Sequence, residues 1–226
     1  MKLKFVLPAA FALLSSLHSF AQVAPVAPPC VKDSLESYIE LGATGCTFNG
    51  SLYRSFTYTF SESGGVATTA GILPSDITVT PLLLPTTDPV LFAGLNFSAP
   101  WSVAASQSEQ SVIGYNVAPF PPNASAVPPF SGLLTLDLGT SQISGIIGSV
   151  IVQESTSDSV STSSPLTTLE VYDICEDACR LQQTEETTIS PLQALQTSVV
   201  VSLSGGSGGV SLESFATDYA FGPQPQ

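Results

Sequence analysis

The run LYRSFTYTF at residues 52–60 decides the fold class of this chain. Small hydroxyl side chains occupy the odd positions 55, 57 and 59, whereas the even positions are Leu52, Arg54, Phe56, Tyr58 and Phe60. This alternation is typical of a β-strand that buries one face, here the even one. Asn49-Gly50 predicts a tight turn before the strand, and Gly64-Gly65 predicts its end.

The same alternation returns along the chain and predicts an all-β fold, a single antiparallel β-sandwich. In the last strand region, Val210 and Leu212 are at even positions and Phe215 is at an odd one, so we predict a β-bulge near Glu213-Ser214. Residues 118–129, rich in proline, and 154–165, rich in Ser, Thr and acids, are predicted to be long loops. Besides the run at 52–60, the predicted strands are 76–84, 90–97, 111–117, 133–138, 143–152, 166–174 and 198–203.

One short helix is predicted ahead of the sheets, at Ser34–Leu41. Asp33-Ser34 supplies capping side chains, and Gly42 is suited to end the helix. Leu35, Tyr38 and Ile39 then share one face, which we expect to be buried.

The first 21 residues have the layout of a secretory signal peptide. A short basic start at Met1–Lys4 is followed by an apolar run, and Ser19-Phe20-Ala21 supplies the small residues of a cleavage site before Gln22. The apolar run is short for a membrane span. We therefore expect export and release from the membrane, with a Pro/Ala-rich leader at 22–29, the β-sandwich domain at 30–221 and a disordered tail at 222–226.

The four cysteines are predicted to form two disulfides, because an even number in an exported chain is typical of a disulfide framework. Proximity favours Cys30–Cys46 and Cys175–Cys179 among the three possible pairings. Free buried thiols and a zinc site are the alternatives, and zinc has no histidine to help it here.

The charge balance of the exported chain is strongly acidic. Cleavage removes His18, the only histidine, and leaves Lys32, Arg54 and Arg180 against 18 acidic residues, a net charge of −15. Such a surface repels nucleic acid and anionic lipid, so we expect no nucleic-acid partner and no membrane after cleavage.

The same composition predicts a non-catalytic protein without a cofactor. A chain without histidine cannot form a Ser-His-Asp or Cys-His nucleophile system or a histidine metal site. Glycoside hydrolysis by two carboxyl groups remains open in principle, although no carboxyl pair is evident in the sequence.

Two groups of residues are candidate ligand sites, each with a plainer interpretation. Asp173, Glu176 and Asp177 surround the second cysteine pair and could hold calcium, or they are a solvated acidic tip. Trp101 and Tyr115 could stack on sugar rings, or they belong to the core.

Arg54 is unusual on an apolar strand face. It either pairs with a buried carboxylate or has a packed stem and a head in water, as at a sheet edge. Three Asn-X-Ser/Thr sequences, beginning at Asn49, Asn96 and Asn123, match the glycosylation pattern and matter only in a host that glycosylates.

Several segments together resemble bacterial exported β-rich proteins of the PEP-CTERM, exosortase-sorted type. The start of that group, "C…LxSYIxLGxxGC", is similar to Cys30, SLESYIELG at 34–42 and Gly45-Cys46. Its middle is similar to ITVTP at 77–81, Trp101-Ser102 and SVIGY at 111–115, and its end to SGGSGG at 204–209 and LESF at 212–215. The resemblance implies an exported β protein and brings no catalytic, cofactor or metal residue with it. The C-terminal sorting tail of the group is replaced here by FGPQPQ at 221–226, so we expect release rather than anchoring.

Two functional classes follow. The first is a secreted, non-catalytic structural or adhesive protein of the envelope or extracellular matrix, whose partners are extracellular polysaccharide or envelope proteins. The second is a carbohydrate-binding module or, less in keeping with the residues, a histidine-free glycosidase.

Overall fold

The structure is a computed structural model that describes residues 26–64, 71–84, 91–120, 130–158, 165–192 and 194–221. The predicted signal peptide, the first residues of the leader, the C-terminal tail and the third Asn-X-Ser sequence lie outside these ranges. The described chain is mostly β-strand and carries one α-helix. The prediction of an all-β sandwich is confirmed.

The elements follow one another in a simple order. A 3-10 turn at Pro74–Asp76 precedes β4. The helix and strands are β1 (Asp33–Ser34), α1 (Leu35–Glu40), β2 (Cys46–Phe48), β3 (Ser51–Ser63), β4 (Thr78–Leu84), β5 (Leu91–Val103), β6 (Ser108–Pro119), β7 (Phe130–Leu138), β8 (Ser141–Ile143), β9 (Gly148–Asp158), β10 (Thr167–Cys175), β11 (Cys179–Gln182), β12 (Thr184–Leu192), β13 (Leu195–Ser204) and β14 (Val210–Phe221).

Two seven-stranded sheets form the sandwich, and the named strand pairs are antiparallel. The front sheet has the order β11-β10-β9-β13-β6-β3-β2. The back sheet has the order β1-β4-β5-β14-β7-β12, with β8 also paired to β14. Neighbouring strands are often distant in sequence: β13, for instance, lies between β6 and β9.

The strand at 52–60 is present, but its buried face changes partway. Ser55 adopts a φ of 58°, and the register with β6 shifts between Arg54 and Thr57. Before this bulge the odd residue Tyr53 is buried; after it the even residue Phe56 is buried. The prediction of one even buried face is therefore wrong for residues 52–54, because a bulge reverses the alternation. The bulge predicted in β14 is confirmed between Leu212 and Ser214.

The residues predicted to form a long loop at 154–165 begin as strand. Strand β9 continues to Asp158, and Glu154 and Thr156 face the interior, 1% and 0% exposed. The prediction failed because polar side chains point inward here and bond to one another, a pattern that looks like a loop in sequence. The first residues of the other predicted loop, 118 and 119, also belong to a strand, β6.

Other strand boundaries needed correction for similar reasons. The predicted strand 143–152 is two strands, β8 and β9, separated by a turn at 144–147. Strand β5 extends through Trp101 to Val103, well past the predicted end at 97. The edge strands β11, CRLQ, and β12, TEETTISPL, were not predicted. Edge strands are partly exposed, and TEETTISPL shows no alternation of apolar and polar residues.

The N-terminal segment is fastened as the sequence predicts. Ser34 caps the helix by accepting from the Ser37 N–H at 3.2 Å, and Leu35 and Tyr38 are buried. Asn49 and Gly50, with φ of 45° and 76°, form the hairpin turn between β2 and β3. Both predicted disulfides, Cys30–Cys46 and Cys175–Cys179, are confirmed, and none of the four cysteines is free.

Aromatic rings fill the space between the sheets. Phe215 packs on Phe97 with ring centres 5.1 Å apart and on Trp101 at 5.7 Å. Tyr115 packs on Phe56 at 5.3 Å. Pairs of this kind stabilise a core beyond the area they bury, by about 0.5–1.5 kcal/mol each.

Candidate functional site

The aromatic residues chosen from sequence belong to the core. Trp101 is 0% and Tyr115 2% exposed. The Trp101 indole N–H donates to the Ser111 hydroxyl at 3.3 Å, inside the sandwich. Stacking of a sugar on these two rings is therefore ruled out, and the core interpretation is confirmed.

The acidic residues near the second disulfide do not form one cluster. Glu176 and Asp177 are exposed in the turn between the two cysteines. Asp173 accepts from the Ser141 hydroxyl at 2.8 Å, which joins β10 to β8 of the other sheet. Within the described ranges, no group of three or more Asp, Glu, Cys or His side chains could hold a metal ion. The calcium interpretation therefore has no ligand set here.

Arg54 and the first two Asn-X-Ser sequences also have plain explanations. Arg54 is half-buried and lies on the opposite side of β3 from the buried Tyr53. The pairing of β3 with β2 ends at Tyr53, so Arg54 has no partner on β2. The Asn49 amide nitrogen is buried. Asn96 lies inside β5, where its amide donates to the Ser98 hydroxyl at 2.8 Å. Neither asparagine presents a free amide on an exposed loop.

The outer face of the front sheet is polar, and it is uncharged over a large part of its four central strands β3, β6, β13 and β9. Residues that share this face follow from the strand registers, because every second side chain points the same way. Glu170 on the neighbouring strand β10 shares this face and accepts from the Gln153 amide at 3.3 Å, but sixteen positions on the four central strands are uncharged. They are Thr57, Thr59, Ser61 and Ser63 on β3; Ser108, Gln110, Val112 and Gly114 on β6; Ser198, Val200, Ser202 and Ser204 on β13; and Ser149, Ile151, Gln153 and Ser155 on β9.

One end of this face contains a shallow depression of about 360 Å³, which we call the serine depression. The hydroxyls of Ser63 and Ser108 are 2.7 Å apart, and the Gln110 amide donates to Ser202 at 3.3 Å. Its lining residues are Ser61, Glu62, Ser63, Ser108, Glu109, Gln110, Ser149, Ser202, Leu203 and Ser204. The residues that alternate with the serines, such as Glu109 and Leu203, turn their side chains to the interior and are 8% and 1% exposed. Hydroxyl and amide groups therefore dominate what the depression presents to solvent.

An apolar loop tip lies at the same end of the sandwich. Ile146 and Ile147 are 77% and 49% exposed, two residues along the chain from Ser149 of the depression. The glycine-rich loop between β13 and β14 holds this tip: Ser207 bonds to Ile147 through both its backbone N–H and its hydroxyl, each at 3.0 Å. The end of the front sheet thus combines hydrogen-bonding groups with apolar side chains on a braced loop.

Three carboxyl groups are buried inside or against the sandwich, and we call Glu109, Glu154 and Asp218 the buried acids. Each has one carboxyl oxygen without a hydrogen-bond partner. Burial raises the pKa of Glu109 to about 7, helped by the charge of Glu62, which pairs with it in the register of β3 and β6. Burial also raises the pKa of Asp218 to about 7, helped by the charge of Asp137. Asp218 occupies the space left by the missing side chain of Gly94 on the next strand.

Glu154 is the most enclosed of the buried acids. It is 1% exposed, and burial raises its pKa to about 8, whereas hydrogen bonds from Tyr219 and Thr156 act in the opposite direction. The Tyr219 hydroxyl donates to Glu154 Oε1 at 3.1 Å, and Thr156 donates to the same oxygen at 3.3 Å. A substrate cannot reach the Glu154 carboxyl group, so any role of this group lies within the fold itself.

Sequence reasoning missed both the Glu62–Glu109 pair and the buried acids. The pair exists because β3 and β6, separated by the whole of β4 and β5, are neighbours in the front sheet. Retaining and inverting glycosidases need two carboxyls about 5–9 Å apart facing a space that admits a sugar. Glu109 is 8% exposed, so little of its side chain faces the depression that it helps to line.

Comparison with known proteins assigns no family. No protein-family model matches the chain, and no curated relative matches it. One similar solved structure is the enzymatically active domain of tailspike protein 4 of bacteriophage CBA120, with 10% identity, 70% of this chain and 19% of that chain covered, and a TM-score of 0.28. Another is the Gap123 glycosylation-associated protein complex of Streptococcus agalactiae, with 16% identity, 77% and 26% covered, and a TM-score of 0.28. The chain thus spans about a quarter or less of those chains, and at such scores the overlaps carry no functional information.

The described part of the chain also contains no helix with the length and apolar character needed to cross a bilayer. The two disulfides indicate an oxidising compartment.

Proposed function

We propose that this protein is a secreted, non-catalytic structural or adhesive component of the cell exterior, and that it contacts uncharged polysaccharide through the serine depression. The observation that carries the proposal is the absence of charge on the sixteen outer-face positions named above, a patch that Glu170 of β10 borders. None of the 18 acidic residues of the chain lies at these sixteen positions, although Glu170 lies on the next strand.

The chemistry of the depression supports a sugar polymer over other partners. Serine hydroxyls and the Gln110 amide both donate and accept hydrogen bonds, which matches sugar hydroxyls. The exposed side chains of Ile146 and Ile147 offer apolar contact to the C–H faces of a sugar ring. A basic protein partner would instead be met by carboxylates, and the sixteen uncharged positions have none.

The signal-peptide layout and the two disulfides support an exterior location for this activity. The likeness to exported PEP-CTERM-type proteins remains a prediction and is consistent with it. The alternative, a carbohydrate-binding module attached to a larger function, uses the same depression and differs only in what else the protein does.

Binding to insoluble and gel-immobilised neutral polysaccharides tests the proposal, with the purified mature chain. Ser202→Glu places a charge in the depression, and Ser211→Glu places the same charge on the outer face of β14 in the back sheet, where Ser211 is equally half-buried. We expect retention by wild type and Ser211→Glu, and loss of retention by Ser202→Glu.

Two results would overturn the proposal. Equal retention of the two variants would remove the depression as the contact, and no retention of wild type on any polysaccharide would remove the ligand. Turnover of a glycan that disappears when a single Asp or Glu is made an amide would make the protein a glycosidase instead.

A further inference from the structure

A chain of hydroxyl groups crosses the seam between the two sheets and ends at Glu154. On the front sheet, the register places Tyr115, Thr197 and Thr156 side by side on β6, β13 and β9. Thr217 and Tyr219 reach them from β14 of the back sheet. All of these side chains are buried, with exposures of 2% or less.

The hydrogen atoms of this chain can be placed from its contacts. Tyr219 has one O–H, and it donates to Glu154 Oε1. Tyr219 therefore accepts from its other two partners, Tyr115 at 2.9 Å and Thr197 at 2.8 Å. Since Tyr115 donates to Tyr219, it accepts from Thr217 at 2.6 Å. Every proton in the chain thus points towards the Glu154 carboxyl, which is its final acceptor.

Among the described residues, no cationic side chain acts on Glu154 to compensate a negative charge. Its second oxygen, Oε2, has no partner. The titratable groups that act on it are Tyr219 and Asp218 from β14 and Tyr115 from β6, all neutral or negative. On β10 the residue opposite Glu154 is Leu169, and the next backbone N–H, of Glu170, already bonds to the Glu185 carboxylate of β12. On β13 the neighbour is Val199.

We propose that Glu154 is a proton-held lock between the two sheets: with a proton on Oε2 it is a neutral acceptor for Tyr219 and Thr156, and without that proton it places a buried, uncompensated charge at the seam, which loosens. The inference does not depend on the proposed function. It describes a pH-sensitive device in the fold, which keeps the sandwich most stable in acidic surroundings and weakens it progressively as the pH rises from about 4.5 to about 8.

The direction and size of the effect follow from proton linkage. The pKa of Glu154 rises from an ordinary 4.5 to about 8 on folding, mainly through burial. Between these values the folded state holds one proton that the unfolded state has released, so stability falls as pH rises. The folding equilibrium constant is expected to lose about tenfold per pH unit through this one group, and to level off above about pH 8.

Glu154→Gln tests the lock, because the amide keeps the shape and the acceptor oxygen but cannot ionise. Glu213→Gln, at an exposed position of β14, removes an identical carboxyl outside the seam. Urea unfolding of the mature chain between about pH 4.5 and 9 gives the equilibrium constant at each pH. As the pH rises, we expect the folding equilibrium constant of Glu154→Gln to fall less steeply than that of wild type, and the two slopes to differ by about tenfold per pH unit. The constant of Glu213→Gln should fall as steeply as that of wild type.

A second measurement keeps the proposal testable if Glu154→Gln does not fold. Carbon-13 NMR of glutamate carboxyls in folded wild type should show one signal that titrates near pH 8, and Tyr219→Phe, which removes a donor to that carboxyl, should move this titration upward. Parallel pH curves for wild type and Glu154→Gln would overturn the lock. So would glutamate signals that all titrate below about pH 6 in the folded chain.

Discussion

Removal of the Tyr219 hydroxyl is the sharpest test of how the two sheets are joined. The substitution Tyr219→Phe leaves the ring and deletes one oxygen. That oxygen bonds to Glu154 at 3.1 Å, Tyr115 at 2.9 Å and Thr197 at 2.8 Å. No water can replace it easily, because Tyr219 is 1% exposed.

The expected cost follows from those three bonds. Each buried hydrogen bond contributes about 1 kcal/mol net, and a buried group left without a partner costs about 1–3 kcal/mol. Tyr219→Phe leaves the Tyr115 and Thr197 protons without their acceptor, so we expect the free energy of unfolding to fall by about 3 kcal/mol. In a chain of this length that corresponds to a lower Tm by about 6–12 °C.

Tyr58→Phe is the matched control, since it deletes the same atom from a half-buried tyrosine. The Tyr58 hydroxyl donates to the Ile72 carbonyl at 2.9 Å and bonds to Ser111 at 3.1 Å, and solvent can substitute in part. We expect a loss of about 1 kcal/mol. Thermal and urea unfolding of both variants at one pH measure the difference. Equal losses for the two variants would refute the assignment of Tyr219 as the centre of the seam.

Three further predictions concern the disulfides, one glycine and pH. Replacing Cys30 and Cys46 together by Ala should cost about 3 kcal/mol and replacing Cys175 and Cys179 together about 2 kcal/mol, since the bonds close separations of 16 and 4 residues; a larger loss for the second pair in thermal unfolding would contradict the chain-entropy account. Gly94→Ala should destabilise by about 1–3 kcal/mol in urea unfolding, because its new methyl group would collide with the carboxylate and backbone on β14, and an unchanged midpoint would mean that these atoms can move. The buried acids, with pKa values raised to about 7 or 8, bind protons on folding, so the Tm should fall as pH rises from about 5 to 8 at constant salt, and a rising Tm would contradict their burial.

The candidate surface could be predicted from sequence only in part. Alternation identified the strands that carry it, and Thr57 and Thr59 were already visible on one polar face of the run 52–60, whereas Ser61 and Ser63 lie beyond that run. Their meeting with serines of β6, β13 and β9 depends on the strand order of the front sheet, which no local pattern specifies.

The sequence by itself determined the properties that depend on neighbouring residues. These are the strand alternation, the helix with its Ser34 cap, the Asn49-Gly50 turn and the pairing of cysteines close in the chain. Each depends on contacts within a few residues, so composition and spacing suffice.

The tertiary structure alone decided which polar residues are inside. Glu154 and Thr156 have the composition of a loop, yet they lie in a strand at the seam. Tyr219 donates to Glu154 and is itself bonded to Tyr115 and Thr197, and these three residues come from three other strands, distant in the chain. A buried carboxyl is tolerated only where such partners converge, and that convergence is a property of two packed sheets rather than of any one segment.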